Sequence, residues 1–207
     1  MSDTPVLFWN VDTQFDFVEP AGKLYVPGAE KLKTTWNVLT KLAAKKNYRV
    51  INTADFHYTN SAELSDAPDF ISTFPEHCMA NTKGAEYVEE TEPADPVTFD
   101  WDKVYLTLDE VKTKRNIVIR KDAFDVFAGN PHTESIVEIL APKVVVVYGV
   151  TTNVCVNDAV LGLAKRIEKV YVVEDAIKEL PNIPLPFENW KKLGVEMIKF
   201  KELQNML

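Results

Sequence analysis

The sequence predicts an α/β protein: one domain with a doubly wound, mostly parallel six-stranded sheet and helices on both faces. Six short apolar runs lie along the whole chain, and segments of helix length separate most of them. The runs are almost continuously apolar, which is typical of parallel strands that helices cover on both sides. With 207 residues the chain has the length of one domain, which we expect to span residues 1–207.

The predicted strands follow these runs in order: VLFWNV at 6–11, RVINTA at 49–54, NIVIR at 116–120, KVVVVYG at 143–149, KVYVVE at 169–174 and VEMIKF at 195–200. Apolar residues at helical spacing predict helices at about 29–46, 132–140 and 154–166. Residues 56–103 lack both patterns and contain four prolines. A section of this length inside a compact domain is usually functional or mobile.

Composition narrows the class of partner. The formal net charge of −8 opposes nucleic-acid binding, which needs clustered Lys and Arg, so a small molecule is the expected partner. No apolar stretch approaches the roughly 20 residues of a membrane span, and the first residues do not have the pattern of a secretory signal. We therefore expect a cytoplasmic protein without membrane contact, in which Cys78 and Cys155 are reduced thiols.

Reactive side chains follow four of the predicted strands. Asp12 follows the first strand, Asp55 and His57 follow the second, Lys121 follows the third, and a turn leads from the fourth to Cys155. Ligands of open parallel sheets bind at the carboxyl ends of the strands, so we expect these five side chains to converge on one edge.

Cys155 follows the turn GVTTN, in which Gly149 permits a tight bend and Thr152 or Asn153 is a candidate helix cap. A thiol in the first turn of a helix lies at the positive end of the helix dipole, which favours the thiolate. The alternative is a small buried apolar residue, the usual role of a free cysteine.

Asp12 and Lys121 would complete a nucleophilic site. A carboxylate would carry the thiol proton, and a cation would hold the thiolate and lower its pKa from about 8.5. Taken singly, Asp12 has an alternative as a turn residue and Lys121 as a solvated lysine.

A metal site is the second candidate. Asp55 and His57 lie on one short loop, and FPEHCMAN brings in His77 from the long section. A divalent ion would take three such ligands and fill its other positions with water, with zinc expected first and manganese, iron or magnesium as alternatives. The competing interpretation is two unrelated loop histidines.

Five motifs in order carry a resemblance: NVDTQFDFVEPAGKLYVPGA, TADFHY, FPEHCMANTKGAEYV, VIRKDAFDVF and VYGVTTNVCVNDAV. In these the chain resembles the isochorismatase-like cysteine hydrolases, with their Rossmann-like fold, and particularly the nicotinamidase branch. It departs from the branch in two places. Thr59, Asn60 and Ser61 stand where some members have another histidine ligand, and the segment after Lys121 lacks a common glycine.

The resemblance implies roles for particular residues. Asp12, Lys121 and Cys155 would form a catalytic triad in which Cys155 attacks an amide, releases ammonia and leaves a thioester that water hydrolyses. It also implies a cis peptide between Val150 and Thr151, with the backbone N–H groups of Thr151 and Cys155 as the oxyanion hole.

For ligands, the resemblance implies a metal site formed by Asp55, His57 and His77. Phe17 and Phe74 would form aromatic pocket walls, and Phe124 is a further candidate. Because oligomers are common in this family, the resemblance also implies a homo-oligomer.

Three hypotheses of function follow. The first is conversion of nicotinamide to nicotinate and ammonia; the second is a related cysteine amidase acting on another small amide, such as a ureido or carbamoyl compound. The third is a thiol-based redox sensor or small-ligand binding protein, which needs neither Asp12 nor Lys121.

Overall fold

The computed structural model describes residues 5–207, and the first four residues of the predicted domain lie outside the described residues. Seven parallel strands form one sheet in the order β3-β4-β2-β1-β5-β6-β7. The strands are β1 (Val6–Val11), β2 (Arg49–Asp55), β3 (Val97–Phe99), β4 (Asn116–Lys121), β5 (Val144–Val150), β6 (Lys169–Lys178) and β7 (Glu196–Ile198). The predicted fold class is confirmed.

The predicted number of six strands is wrong by one. The additional strand β3 has three residues between Pro96 and Asp100, which is too short for hydrophobic periodicity to reveal. The run predicted as the last strand, 195–200, divides between β7 and a helix that begins at Phe200.

Seven α-helices lie among the described residues: α1 (Phe15–Val18), α2 (Lys33–Lys45), α3 (Val126–Gly129), α4 (Thr133–Leu140), α5 (Cys155–Ala164), α6 (Phe187–Lys192) and α7 (Phe200–Met206). The three predicted helices correspond to α2 with the 3₁₀ turn that precedes it, to α4 and to α5. None of the helices within residues 5–207 combines the length and hydropathy that a membrane span requires.

The sheet separates two apolar cores. Alternate residues of β1 point to opposite faces, so that Leu7 and Trp9 join one core and Phe8 joins the other. Residues of α3, α4, α5 and α6 pack in the first core, and residues of α1, α2 and α7 pack in the second. Both faces are therefore covered, which explains why the strands are almost continuously apolar.

The candidate residues lie where the direction of winding changes. The chain places β2, β3 and β4 on one side of β1, and then returns to place β5 against the other side. At the carboxyl end of this pair, Gly149 has a φ of 124°, and a Cβ there would lie 2.1 Å from the carbonyl oxygen of Val11. The close approach of two backbones at this point thus requires glycine.

Candidate functional site

Asp12 lies directly beyond β1, buried, with a φ of 48° in the left-handed region, which is uncommon for residues other than glycine. Its Oδ1 accepts a hydrogen bond of 2.6 Å from the Thr53 hydroxyl, and its Oδ2 lies 3.0 Å from the Lys121 Nζ. Burial raises the pKa of the Asp12 carboxyl; the Lys121 ammonium opposes this effect and the charge of Asp55 adds to it. The backbone strain and the two contacts fix this carboxylate in one position.

Lys121, the last residue of β4, contacts both carboxylates and the thiol. Its Nζ forms ion pairs with Asp12 and Asp55, and it lies 3.7 Å from the Cys155 Sγ. Although burial favours the neutral amine, the two carboxylates hold the pKa of Lys121 well above its usual range. The side chain is 1% exposed, so a permanent cation is buried beside the thiol.

Cys155 is the first residue of α5, yet the expected stabilisation of its thiolate is not what the structure shows. Burial raises the pKa of the Cys155 thiol well above its usual range; Lys121 lowers it, and the nearby carboxylates raise it further. The helix position and the lysine were both expected correctly. The loss of solvent around the sulfur and the negative charge of Asp12 and Asp55 outweigh them.

The turn before α5 also differs from expectation. The residue that precedes the helix is Val154, without a side-chain cap, and neither predicted cap fills this role. The Asn153 side chain instead holds the 180–183 loop. Its Nδ2 donates to the carbonyl oxygens of Leu180 and Ile183, and its Oδ1 accepts from the Leu180 N–H. The Val150–Thr151 peptide bond is cis. Within residues 5–207, the N–H groups of Thr151 and Cys155 donate no hydrogen bond to another protein group.

The three predicted metal ligands, Asp55, His57 and His77, are brought together and buried, and they are called the metal cluster below. One potential ligand atom from each residue lies within 4.8 Å of the others. The Asp55 Oδ2 is 3.8 Å from the His57 Nε2 and 3.7 Å from the His77 Nε2. Burial opposes ionisation of Asp55, but Lys121 and the two imidazoles hold the pKa of its carboxyl well below its usual range.

Both imidazoles turn the other ring nitrogen away from the cluster. The His77 Nδ1 lies 2.7 Å from the carbonyl oxygen of Pro75, and the His57 Nδ1 lies 2.8 Å from the Asp122 Oδ1. The His57 Nε2 is buried without a hydrogen-bond partner among the described residues. Two imidazole nitrogens and a carboxylate oxygen that converge in this way are a donor set suited to a divalent cation.

Glu63 also lies in this region, although it is not among the site residues predicted from the sequence. Its Oε2 is buried without a hydrogen-bond partner among the described residues and lies 3.9 Å from the His57 Nε2. Burial, together with the charge of Asp55, raises the pKa of Glu63 to about 7. The sequence carries a weak signal: an acidic residue six positions after a candidate ligand, within an otherwise irregular section.

Aromatic side chains line the space next to Cys155. Phe17, Phe74 and Phe124 all line a small cavity with Cys155 and Thr151. Beyond it lies a larger outer cavity of about 470 Å³, whose walls share Leu24, Phe74 and Leu180 with the inner one. The ring of Phe74, which lines both cavities, lies 5.5 Å from the ring of Phe124.

The remaining cysteine and histidine lie outside this arrangement. Cys78 is a buried free thiol in the second core. His132 immediately precedes α4, with its Nε2 2.8 Å from the carbonyl oxygen of Lys103.

Comparisons with known proteins agree with the geometry. Residues 6–184 match the family model of the isochorismatase domain. A stretch of 78 residues is 37% identical to the nicotinamidase/pyrazinamidase of Mycobacterium tuberculosis, and it covers 37% of this chain and 40% of that protein. The matched stretch thus spans less than half of that relative.

Two solved structures are similar over nearly their whole length. The pyrazinamidase of Pyrococcus horikoshii in complex with zinc has a TM-score of 0.71 and 25% identity, covering 95% of this chain and 99% of that one. An isochorismatase family protein from Desulfovibrio vulgaris has a TM-score of 0.76 and 21% identity, covering 99% of this chain and 98% of that one. At this identity the second likeness concerns the fold.

Proposed function

Because the chain belongs to the isochorismatase domain family, we propose that it is an amidohydrolase that uses Cys155 as its nucleophile and converts nicotinamide to nicotinate and ammonia. The resemblance to this superfamily and its nicotinamidase branch, predicted from five motifs, is confirmed. The observation that carries the proposal is the buried Lys121 Nζ, which lies 3.0 Å from the Asp12 Oδ2 and 3.7 Å from the Cys155 Sγ, directly beside the metal cluster.

In the proposed first half-reaction, the Cys155 sulfur attacks the amide carbonyl carbon and Asp12 takes the thiol proton. The C–N bond breaks, Asp12 passes the proton to the departing nitrogen, and ammonia leaves an acyl thioester on Cys155. The raised pKa of Asp12 suits this role, because a carboxyl group that binds a proton readily also transfers it within one turnover. Lys121 keeps its charge and stabilises the developing thiolate.

In the second half-reaction, water attacks the thioester and gives a proton to Asp12. The C–S bond breaks, the carboxylic acid is released, and the thiolate recovers its proton from Asp12. The N–H groups of Thr151 and Cys155 would bind the oxygen that becomes negative in both steps, an effect worth about 3 kcal/mol for each donor.

The metal cluster would hold a divalent ion, with Glu63 as a candidate fourth ligand. Two buried atoms without hydrogen-bond partners among the described residues, the His57 Nε2 and the Glu63 Oε2, fit such an ion. When bound, the ion would supply a Lewis acid that anchors a ring nitrogen of the substrate. Zinc is the first expectation, supported by the zinc in the Pyrococcus horikoshii pyrazinamidase structure.

A second candidate is hydrolysis of another small amide, such as a ureido or carbamoyl compound. The outer cavity of about 470 Å³, which shares Phe74 with the space at Cys155, leaves room for a substituent other than a pyridine ring. Both candidates use the same triad and differ in the group that must fit beyond the carbonyl.

Ammonia release by the purified protein tests both candidates. Nicotinamide and a panel of ureido and carbamoyl amides are assayed with and without a chelator. Turnover of nicotinamide that stops on chelation and returns with zinc supports the first candidate, and turnover of another amide alone supports the second. No ammonia from any amide would contradict both and favour a thiol sensor or binding protein.

Assembly and location are also proposals, and the homo-oligomer rests on the family resemblance. We expect a cytoplasmic homo-oligomer of the 23.4 kDa chain. Size-exclusion chromatography with light scattering measures the mass directly, and a monomer would contradict this expectation.

A further inference from the structure

The imidazole of His57 is held by a hydrogen bond on the side that faces away from the other two residues of the cluster. Its Nε2 faces the metal cluster, and its Nδ1 lies 2.8 Å from the Asp122 Oδ1. The ring is completely buried, so no water competes for the Nδ1 proton. A neutral imidazole carries one proton, and the nitrogen without it is the one that can bind a metal.

Asp122 is itself fixed in place. It directly follows Lys121 at the end of β4, and its backbone N–H donates to the carbonyl oxygen of Gly129 at 3.2 Å. Its Oδ1 also accepts a hydrogen bond from the Ser61 hydroxyl. Asp122 thus contacts the loop after β2 at two positions, His57 and Ser61.

A second contact also joins the loop after β2 to the loop after β4. The Glu63 Oε1 accepts a hydrogen bond of 2.5 Å from the Phe124 backbone N–H. Since 61 residues separate Glu63 from Phe124 in sequence, this contact forms only when the ends of β2 and β4 are already aligned. The orientation of His57 is therefore determined by the loop after β4 as well as by its own loop.

From this geometry we propose that Asp122 is a positioning residue for the metal cluster: by accepting the Nδ1 proton of His57, it selects the tautomer whose Nε2 lone pair faces Asp55 and His77. This inference rests on the metal site of the proposed function. A carboxylate behind a metal-bound histidine fixes the ring and increases the basicity of the coordinating nitrogen.

The two histidines of the cluster differ in this respect. His77 has a neutral carbonyl oxygen behind its Nδ1, that of Pro75, whereas His57 has a carboxylate. A charge-assisted hydrogen bond is roughly twice as strong as a neutral one. His57 is accordingly the better electron donor of the pair. The last residue of β4 supplies the Lys121 ammonium beside the thiol, and the next residue supplies the carboxylate behind the metal ligand.

Zinc affinity tests this role without any amide. We compare wild type with Asp122→Ala, Asp122→Asn and Asp125→Ala in a competition titration with a chromogenic chelator. We expect Asp122→Ala to bind zinc 10- to 100-fold more weakly. Asp122→Asn keeps an acceptor oxygen without the charge, so its loss should be smaller.

Asp125→Ala is the matched control. This aspartate lies three positions further along and accepts the backbone N–H of Phe127 at the start of α3, at 2.9 Å. Its loss should lower the melting temperature and leave zinc affinity unchanged. Equal weakening of zinc binding in both alanine variants would contradict the proposal, because it would indicate a general disturbance of the loop.

Nitrogen NMR of the zinc-loaded protein reports the tautomer itself, and with only three histidines in the chain the spectrum is simple. We expect the wild-type His57 to be protonated at Nδ1 and metal-bound at Nε2, and Asp122→Ala to broaden or shift this signal alone. Zinc affinity of Asp122→Ala within twofold of wild type would overturn the proposal, and Asp122→Asn provides the comparison if the alanine variant does not fold. A wild-type protein that binds no zinc would overturn it together with the metal part of the proposed function.

Discussion

At the scale of the residue, the thiol of Cys155 must lose its proton at the moment of attack, because burial keeps its pKa well above the usual range. The proposed acceptor is Asp12, and Asp12→Asn removes the acceptor while keeping the size of the side chain. The Thr53 hydroxyl can still donate to the remaining oxygen, so we expect a folded protein. Turnover should fall by about 10²- to 10⁴-fold.

The ammonia assay with circular dichroism as the folding control measures this variant. A turnover within tenfold of wild type would contradict the role of Asp12 as the base. Thiol oxidation by hydrogen peroxide distinguishes the amidase from a thiol-based redox sensor, because Cys155 of a sensor should oxidise normally without Asp12.

The two cysteines allow a matched test of the covalent step. Acid quenching during turnover, followed by intact-mass measurement, should reveal an acyl adduct on the wild-type protein. Cys155→Ala should show neither adduct nor turnover. Cys78→Ala removes the other buried thiol, which packs in the second core, and should keep the adduct at the cost of some stability. An adduct that survives in Cys155→Ala would place the nucleophile elsewhere.

The sequence predicts the site residues unevenly. Asp12, Lys121 and Cys155 were expected at one edge of the sheet because parallel strands bring their carboxyl ends together, and the structure places them in contact. Glu63 and Asp122 were not found, because their contacts join loops about 60 residues apart and depend on the assembled fold. The expected lowering of the thiol pKa by the helix terminus and Lys121 is a local effect, whereas burial and carboxylates that lie far away in sequence and close in space raise the pKa of Cys155.

At the scale of the element, the approach of β1 and β5 determines where the triad lies. The backbone of Gly149 passes so close to Val11 that an added Cβ would be 2.1 Å from its carbonyl oxygen. Gly149→Ala must therefore push two central strands apart and also adopt an unfavourable φ. We expect a loss of more than about 3 kcal/mol in the free energy of unfolding.

Gly194→Ala isolates the contribution of the backbone conformation. Gly194 has a φ of 77°, and a Cβ there meets nothing within 4 Å. This variant should lose only about 1–2 kcal/mol. Urea denaturation measures both variants, and equal losses would contradict the steric role of Gly149.

The elements themselves were predictable where their patterns are long. Strands of five or more apolar residues, such as β5, and the amphipathic α2 were expected at nearly their observed bounds. The three-residue β3 and the four-residue α1 and α3 were not predicted. Segments this short are too brief to show a hydrophobic periodicity, and tertiary contacts hold them in place. The start of α5 was expected within one residue and its cap was wrong, since Asn153 instead holds a loop 27 residues away.

At the scale of the whole molecule, one long segment is joined to the sheet at the candidate site. Between β2 and β3 the chain runs from Phe56 to Pro96 without a strand, yet it carries His57, Glu63 and His77. His57 pairs with Met79 through a single β-bridge, and the Cys78 N–H donates to the buried Asp16 carboxylate at 2.8 Å. A shared ion would add a cross-link that joins the start of the segment at His57 and its middle at His77 to Asp55 at the edge of the sheet.

Zinc should therefore stabilise the entire fold. A ligand present at a hundred times its dissociation constant adds about 2.7 kcal/mol to the free energy of unfolding. For a chain of this size, each kcal/mol raises the melting temperature by about 2–4 °C, so zinc should raise it by about 5–11 °C over chelated protein. His77→Ala removes one of the converging nitrogens and should abolish most of this shift, whatever its own melting temperature. Differential scanning calorimetry with zinc and with a chelator measures both proteins, and identical wild-type melting temperatures in the two conditions would contradict zinc binding by the folded chain.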